Sequence, residues 1–155
     1  MSETKRSIFY YFLCILLIFL GINGTCGGLL LFLKPDGSLL GMQQGWLEHS
    51  PFNNYFIPGI LLFSFMGLLP LLTFAGLVKR FSWKWLNVLN IYSDKYWAWT
   101  FCIYSGIIAI MWITIQLIMT QYFWIQPLII FTGLGIIICA LVPGVMNHYT
   151  KSNLP

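Results

Sequence analysis

The sequence predicts an all-α membrane protein, folded as a single domain of four transmembrane helices. The first observation is composition: the 155 residues include eight Lys or Arg and four Asp or Glu, so 8% are charged and 59% are apolar. A soluble domain carries about 25% charged residues and needs them to cover its surface. The second is that the charges leave four uncharged apolar runs, each near the roughly 20 residues with which a helix crosses a bilayer. Composition also excludes a nucleic-acid partner, because the sequence has no basic face.

The four predicted spans contain no Lys, Arg, Asp, Glu or His. They cover about residues 8–33, 55–78, 96–119 and 127–146, with an outer loop at 34–54 and a cytoplasmic loop at 79–95. The alternative for the first span is a cleaved lipoprotein signal that ends before Cys26. Thr25 fits such a cleavage site poorly and the apolar run continues to Leu33, so we expect the first span to be retained.

The cations predict how the chain is oriented in the membrane. Seven of the eight fall on one side of the predicted spans: Lys5, Arg6, Lys79, Arg80, Lys84, Lys95 and Lys151. Only Lys34 falls on the other side. Because cytoplasmic segments are enriched in Lys and Arg, both termini and the 79–95 loop are expected in the cytoplasm. Most Tyr and Trp residues cluster at the span boundaries, as interfacial rings do, whereas Trp112 falls inside the third span.

The outer loop begins with Lys34-Pro35-Asp36-Gly37, a composition typical of a tight turn in which Gly37 takes a positive φ. The residues that follow, from Ser38 to Leu47, are apolar enough to lie on the outer leaflet or to dip into it. We therefore expect a re-entrant or interfacial segment between the first and second helices.

Proline positions predict where helices begin and bend. Ser50 followed by Pro51 is typical of a helix N-terminus, so the second helix is expected to begin before the membrane boundary. Pro58, Pro70 and Pro143 fall inside predicted spans, where proline removes a backbone hydrogen bond and bends the helix. We expect a bend at each of these three positions.

Small residues recur at four-residue spacing in three of the spans, most clearly around Gly24, Gly28, Gly106 and Gly135. Such faces let helix backbones approach closely, which matters because lipid supplies no hydrophobic force between helices. Packing within the bundle of one chain is the interpretation that we favour. A homo-oligomer interface is the alternative.

The cytoplasmic loop contains a second helical pattern. Its apolar side chains at Phe81, Trp85, Val88, Leu89 and Tyr92 fall near one side of a helix. With the Lys residues nearby, they predict a short amphipathic helix on the membrane surface. A helix that binds a partner protein is the alternative.

Six polar residues are candidates for a small outward-facing pocket: Asn23, Gln116, Gln43, Gln44, Glu48 and His49. The alternative for Asn23 and Gln116 is hydrogen bonding between helices, which is common in membrane bundles. Glu48 and His49 are adjacent, and adjacent side chains do not converge on one metal ion. We therefore predict no metal site, no cofactor and no catalytic residue. A catalytic or proton-sensing role for Glu48 or His49 is the alternative to a solvated loop. The four cysteines show no Cys-x-x-Cys spacing and are expected to be buried thiols.

Short phrases of Gly, Pro and apolar residues run along most of the chain. They are Gly27-Gly28-Leu29-Leu30, Pro35 to Met42, Ser50-Pro51-Phe52, Ile57-Pro58-Gly59, Trp97-Ala98-Trp99, Ile113 to Gln116 and Trp124 to Pro127. Together they resemble a family of small, uncharacterised bacterial four-helix membrane proteins. The resemblance implies the four-helix fold and a bacterial inner-membrane location, and it carries no catalytic residue.

Two classes of function follow from these observations. The first is a non-enzymatic membrane protein that binds a membrane lipid, an apolar molecule or a partner subunit. The second is a small transporter or permease component that acts as an oligomer through the polar pocket. No ionisable residue falls within a span, which argues against proton- or cation-coupled transport, because the coupled charge needs a partner inside the bilayer.

Overall fold

The computed structural model describes residues 7–153, and this part of the chain is helical. Its helices are α1 (Ile8–Leu33), α2 (Phe56–Lys79), α3 (Lys84–Val88), α4 (Trp97–Met119), α5 (Ile125–Leu141) and α6 (Pro143–Met146). Short 3₁₀ turns lie at Ser38–Leu40, Gln44–Leu47, Asn147–Tyr149 and Lys151–Asn153. Residues 7–153 contain no β-strand, and one isolated bridge joins Lys95 to Thr150. The predicted all-α class is confirmed.

Three helices, α1, α2 and α4, are long and apolar enough to cross a membrane, with 26, 24 and 23 residues. Helix α5 and the segment Pro143–Tyr149 pass the same test together as a bent pair. The described part of the chain therefore has three such helices, or four when the bent pair counts as one span. Helix α1 coincides with the predicted first span.

The fourth predicted span, 127–146, is not one straight helix. Helix α5 ends at Leu141, and Val142 leaves the helical conformation with φ −56° and ψ 128°. The residue before a proline is disfavoured in the α conformation, and Pro143 then occupies the first turn of α6. The chain changes direction by 65° at this break.

Helix α2 begins later than the sequence predicts, and the expected start at Ser50-Pro51 is wrong. The Ser50 hydroxyl oxygen accepts a hydrogen bond from the Phe52 N–H at 3.2 Å, which closes a local turn instead. The first helical residue is Phe56, whose N–H donates to the Asn54 side chain at 3.0 Å. The residues directly before Phe56 therefore belong to the loop that connects α1 to α2.

Residues Leu62–Leu68 of α2 form a π-helical segment. The Leu69 N–H donates to the Ser64 carbonyl, five residues back. The segment lies between Pro58 and Pro70, the two α2 positions at which the sequence predicts bends. Proline cannot donate a backbone hydrogen bond, and local π-helical turns re-pair the carbonyls that it leaves free in membrane helices. Helix α2 continues through both prolines without a break.

Helices α1 and α2 approach each other through glycines. A Cβ atom added to Gly24 would overlap the backbone carbonyl group of Met66. A Cβ atom added to Gly28 would lie 2.5 Å from the Phe63 nitrogen. Both contacts fall on the π-helical segment, so this segment packs directly against the α1 backbone.

Two further glycines serve helix contacts elsewhere in the bundle. A Cβ atom on Gly106 of α4 would lie 2.7 Å from the carbonyl oxygen of Gly133 on α5. A Cβ atom on Gly135, which also belongs to α5, would lie 2.9 Å from the Leu16 side chain of α1. All four glycines that the sequence singled out therefore lie against another helix of the same chain.

Successive long helices alternate in direction, so the connecting segments gather at two ends of the molecule. The Trp46 end comprises residues 34–55 and 120–124, and the Tyr149 end comprises residues 80–96 and 142–153. At the first end the rings of Trp46 and Phe123 lie 6.4 Å apart. At the second end the rings of Tyr96 and Tyr149 stack with centroids 6.2 Å apart.

Helix α3, at the Tyr149 end, is the surface helix that the sequence predicts, but it is short. It covers five residues, Lys84–Val88. Trp85 and Val88 are 78% and 79% exposed. Phe81, which the pattern placed on the same face, packs instead against Trp97 with ring centroids 5.3 Å apart. The exposed apolar surface at this end is therefore formed by residues 83–92.

Candidate apolar cleft

A cleft with a cavity volume of about 80 Å³ lies at the Trp46 end, between the loop before α2 and the last turns of α4. Its lining residues are Leu31, Met42, Leu47, Ser50, Phe52, Tyr55, Pro58, Trp112, Ile115, Gln116, Met119 and Thr120. None of these residues is charged.

Tyr55 holds the loop that forms one wall of the cleft. Its side chain is 2% exposed, and its hydroxyl donates to the Gln43 carbonyl oxygen at 2.8 Å. Its backbone N–H donates to the Pro35 carbonyl oxygen, also at 2.8 Å. Leu31 and Leu47 pack with Tyr55 into a small buried cluster. These contacts fasten the loop wall to the end of α1 and the beginning of α2.

The tight turn after α1 supports the same wall. The predicted positive φ at Gly37 is confirmed at 80°, and the Gly37 N–H donates to the Lys34 carbonyl oxygen at 3.1 Å. A Cβ atom at this position would lie 2.8 Å from the Tyr55 ring, so glycine also allows the ring to approach. The Asp36 carboxylate accepts a hydrogen bond from the Ser38 N–H at 2.9 Å, which lowers the pKa of Asp36.

Helix α4 forms the opposite wall. Trp112, Ile115, Gln116 and Met119 recur at three- and four-residue spacing, so they share one face of the helix. The Nε1 atom of Trp112 is buried and has no hydrogen-bond partner within the described chain. Gln116 is half-buried on the same wall. The cleft is therefore an apolar space bordered by the Gln116 carboxamide, and the Nε1 atom of Trp112 is too deeply buried to contact a molecule in it.

The polar pocket predicted from the sequence has a different composition from this cleft. Of its six residues, Gln116 alone lines the cleft. Asn23 lies on α1, where its Nδ2 donates to the Phe19 carbonyl oxygen at 2.8 Å, within the same helix. The side chains of Gln43, Gln44, Glu48 and His49 are exposed and lie outside the lining. The structure does not bring these six side chains together.

A second polar cluster, which the sequence did not reveal, lies at the Tyr149 end. The Arg80 guanidinium group contacts the Nε2 atom of His148 and lies 5.7 Å from the centroid of the Tyr149 ring. The Tyr149 hydroxyl donates to the Leu77 carbonyl oxygen at 3.0 Å, and its own carbonyl accepts from the Tyr96 N–H at 2.8 Å. These contacts attach the C-terminal segment to α2 and to the beginning of α4, which is a structural role.

The described residues present no ligand set for a metal ion. Within residues 7–153, no group of three or more His, Cys, Asp or Glu residues is placed to hold one. The four cysteines are free thiols, of which Cys14, Cys102 and Cys139 are buried and Cys26 is exposed. Cys26 therefore departs from the expectation that all four are buried.

A scan against protein-family models and searches of the curated proteins and of the solved structures found no match to this chain. The resemblance to small bacterial four-helix membrane proteins stays a prediction. The evidence for function is thus the chemistry of the cleft and the distribution of charge.

Proposed function

We propose that the protein is a four-span membrane protein that binds the acyl chain of a membrane lipid in the cleft at the Trp46 end. The observation that carries this proposal is the uncharged, mainly apolar lining of the cleft. A hydrocarbon chain gains dispersion contacts with such walls, and no charged group loses its hydration when the chain enters. A charged solute would find no counter-charge among the lining residues.

The surface beside the cleft gives a lipid chain a route into it. Ile115 lines the cleft and is 48% exposed, so it belongs to the wall and to the outer surface at once. Leu117 and Ile118 of the same helix are 43% and 77% exposed. In a bilayer this apolar surface would face lipid, which allows an acyl chain to enter from the side.

The proposal includes a four-span topology in which α5 and the segment after it form the fourth span. Among residues 7–153, four cations lie at the Tyr149 end, Arg80, Lys84, Lys95 and Lys151, and Lys79 is the helix residue directly before it. Lys34 lies at the other end, and Lys5 and Arg6 fall outside the described residues. By the positive-inside rule we place the Tyr149 end in the cytoplasm of a bacterial cell and the cleft in the outer leaflet of its inner membrane.

The same topology assigns a role to residues 83–92. Trp85, Val88 and Ile91 are at least 71% exposed, and Lys84 lies beside them. Exposed apolar side chains next to cations favour the headgroup region of a membrane with anionic lipids. We propose that this segment rests on the cytoplasmic leaflet.

The orientation can be tested with one introduced cysteine at a time and an impermeant maleimide added outside intact cells. We expect His49→Cys to be labelled and Lys84→Cys to be protected, because the membrane separates the two ends. The unmodified chain, with its four native thiols, gives the background. Labelling of Lys84→Cys together with protection of His49→Cys would reverse the proposed orientation.

Ile115→Trp should fill the cleft and reduce the capture of an acyl chain on its walls. The probe is a phosphatidylcholine that carries a diazirine on one hexadecanoyl chain, and the protein is held in phosphatidylcholine nanodiscs. After illumination, mass spectrometry measures adducts on Leu31, Leu47 and Met119. We expect about tenfold fewer adducts, because the indole would occupy space that the chain otherwise fills, and a loss of about 1.4 kcal/mol in binding free energy is a factor of ten in affinity.

Ile118→Trp is the matched control for this experiment. Ile118 lies one turn from Ile115 on α4, is 77% exposed and does not line the cleft. We expect this variant to keep the adduct yield of the unmodified protein at the three cleft residues. Equal yields in the two variants would show that the cleft does not hold the chain.

A further inference from the structure

We propose that the end of α2 binds the phosphate group of an anionic phospholipid, with Lys79, Arg80 and Lys84 supplying the positive charge. This inference rests on the proposed function, because it requires the Tyr149 end to lie at a membrane surface, and it names the headgroup that this end selects. The observation behind it is that these three cations pair with no carboxylate within residues 7–153.

The carboxylates of the described chain are distant from this site or already paired. Asp36 and Glu48 belong to the loop at the Trp46 end. Asp94 forms an ion pair with Lys95, with 3.3 Å between the Asp94 Oδ2 and the Lys95 Nζ atoms. The end of α2 therefore carries an excess of positive charge, which attracts an anion that residues 7–153 do not supply.

Arg80 is the best-positioned cation of the three. Its φ of 50° lies in the left-handed region, which glycine usually occupies after the last turn of a helix. The half-buried side chain contacts the Nε2 atom of His148, and its guanidinium carbon lies 5.7 Å from the centroid of the Tyr149 ring. Within residues 7–153 the guanidinium group forms no other hydrogen bond. Its planar fork of N–H donors matches the oxygens of a phosphate group.

Exposed side chains at the end of α2 fit a lipid better than a soluble anion. Lys79 and Lys84 are exposed and add two positive charges to that of Arg80. Val78 and Trp83 are 44% and 49% exposed, so apolar surface lies next to the cations. Acyl chains gain contacts with such a surface, and an indole ring favours the headgroup level of a membrane. A soluble phosphate would gain nothing from it.

Net charge decides which phospholipid is preferred. The phosphatidylcholine headgroup carries a quaternary ammonium group beside its phosphate, and Lys79 and Lys84 would repel that cation. The phosphatidylglycerol headgroup carries the phosphate without a cation. Basic segments at a membrane surface are attracted to anionic lipids for the same reason. We therefore expect the end of α2 to prefer phosphatidylglycerol to phosphatidylcholine.

The test uses a phosphatidylglycerol that carries a diazirine on its headgroup, with the protein held in dodecylmaltoside micelles. After illumination, mass spectrometry measures adducts on residues 78–85. Unlabelled phosphatidylglycerol should halve the labelling at about tenfold lower concentration than phosphatidylcholine with the same acyl chains, a ratio typical of one hydrogen bond to a charged group. Glycerophosphoglycerol, which is the headgroup without acyl chains, should not compete in this range.

Lys84→Gln removes one charge of the site from an exposed position. We expect this variant to reduce the preference for phosphatidylglycerol about threefold, which is within the usual range for one exposed charge pair. Lys34→Gln is the matched control, because Lys34 is also exposed but lies at the Trp46 end. The control should keep the preference of the unmodified protein.

Arg80→Gln should abolish the preference, and Arg80→Lys should keep part of it, because lysine retains the charge and loses the planar fork. Arg80 also contacts His148 and Tyr149, so the melting temperature of each variant is measured beside its labelling. A preference that is lost in Arg80→Gln and partly kept in Arg80→Lys, at equal melting temperatures, supports the phosphate contact. An unchanged preference in both Arg80→Gln and Lys84→Gln would show that these cations do not form the site.

The competitors distinguish the remaining explanations. Equal competition by the two phospholipids would overturn the choice of an anionic headgroup. Competition by glycerophosphoglycerol at the concentration of phosphatidylglycerol would show that the site takes a soluble phosphate, and would overturn the assignment to a lipid. Loss of the headgroup preference with acyl-chain adducts intact in the cleft would overturn this inference alone. Loss of the cleft adducts with the headgroup preference intact would contradict only the cleft proposal.

Discussion

Gly24→Ala is expected to destabilise the protein by about 3 kcal/mol, at the upper end of the usual cost of overpacking. The reason is that the new Cβ atom would overlap the backbone carbonyl group of Met66. Backbone atoms on both sides of the contact cannot move away as a flexible side chain can, so α1 and α2 must separate. The separation would also loosen the neighbouring contact between Gly28 and Phe63. Thermal unfolding in detergent, followed by circular dichroism, measures the effect.

Gly27→Ala is the matched control for this prediction. Gly27 lies on the same helix, and a Cβ atom there would meet only the Leu62 Cδ2 atom, at 3.3 Å. Glycine within a helix costs about 0.5–1 kcal/mol relative to alanine, so this change should be neutral or slightly stabilising. If both variants unfolded at the same temperature, the close contact between α1 and α2 would be refuted.

Trp97→Ala is expected to cost about 3–5 kcal/mol, the range for removal of a large aromatic side chain from a core. Trp97 is 0% exposed and its ring lies against Gly76. Its Nε1–H donates to the Phe81 carbonyl oxygen at 3.0 Å, and its ring makes an edge contact with Phe101 at 5.4 Å. The substitution therefore creates a cavity and leaves the Phe81 carbonyl without this donor.

Trp85→Ala removes the same side chain from the surface and serves as the comparison for Trp97→Ala. Trp85 is 78% exposed, and exposed substitutions of this kind usually change stability by less than about 0.5 kcal/mol. Both variants are unfolded in the same detergent and their melting temperatures are compared. A small effect of Trp97→Ala, or a large effect of Trp85→Ala, would contradict the described packing at the Tyr149 end.

The sequence predicts α1 well because local features determine its limits. The helix is an uncharged run of 26 residues, and the turn that contains Gly37 follows it directly. Both the run and the turn are visible in the local sequence. The beginning of α2 differs from its prediction because Ser50 has the chemistry of a helix cap but pairs with Phe52 in a local turn. The π-helical segment lies where α2 meets Gly24 and Gly28, and a contact between distant residues leaves no local pattern.

The cleft illustrates a second limit of prediction from sequence. Its walls come from α1, the following loop, α2 and α4, so the lining depends on how these segments pack. Asn23 and Gln116 were predicted to line a pocket because they are polar residues within spans. The Asn23 side chain instead donates a hydrogen bond to the Phe19 carbonyl oxygen of its own helix. Trp112 falls deep inside a predicted span, whereas the other Trp residues lie near the span boundaries or in loops. Whether its indole N–H is paired is a property of the folded structure alone.

The scarcity of charge has a consequence for function as well as for fold. The described helices α1, α2, α4 and α5 carry one charged residue, Lys79, at the last position of α2. The bundle therefore offers dispersion contacts and a few neutral hydrogen-bonding groups to a bound molecule. These are the interactions by which an uncharged lipid chain is recognised.

Native mass spectrometry of the protein extracted gently from its own membrane tests the central claim most directly. The unmodified protein and Ile118→Trp are predicted to retain an adduct with the mass of a membrane lipid, and Ile115→Trp is predicted to lose it. Collisional release of the adduct and fragmentation would identify its acyl chain. An adduct retained equally by all three proteins, or present in none of them, would contradict the account of the cleft as a lipid-binding site.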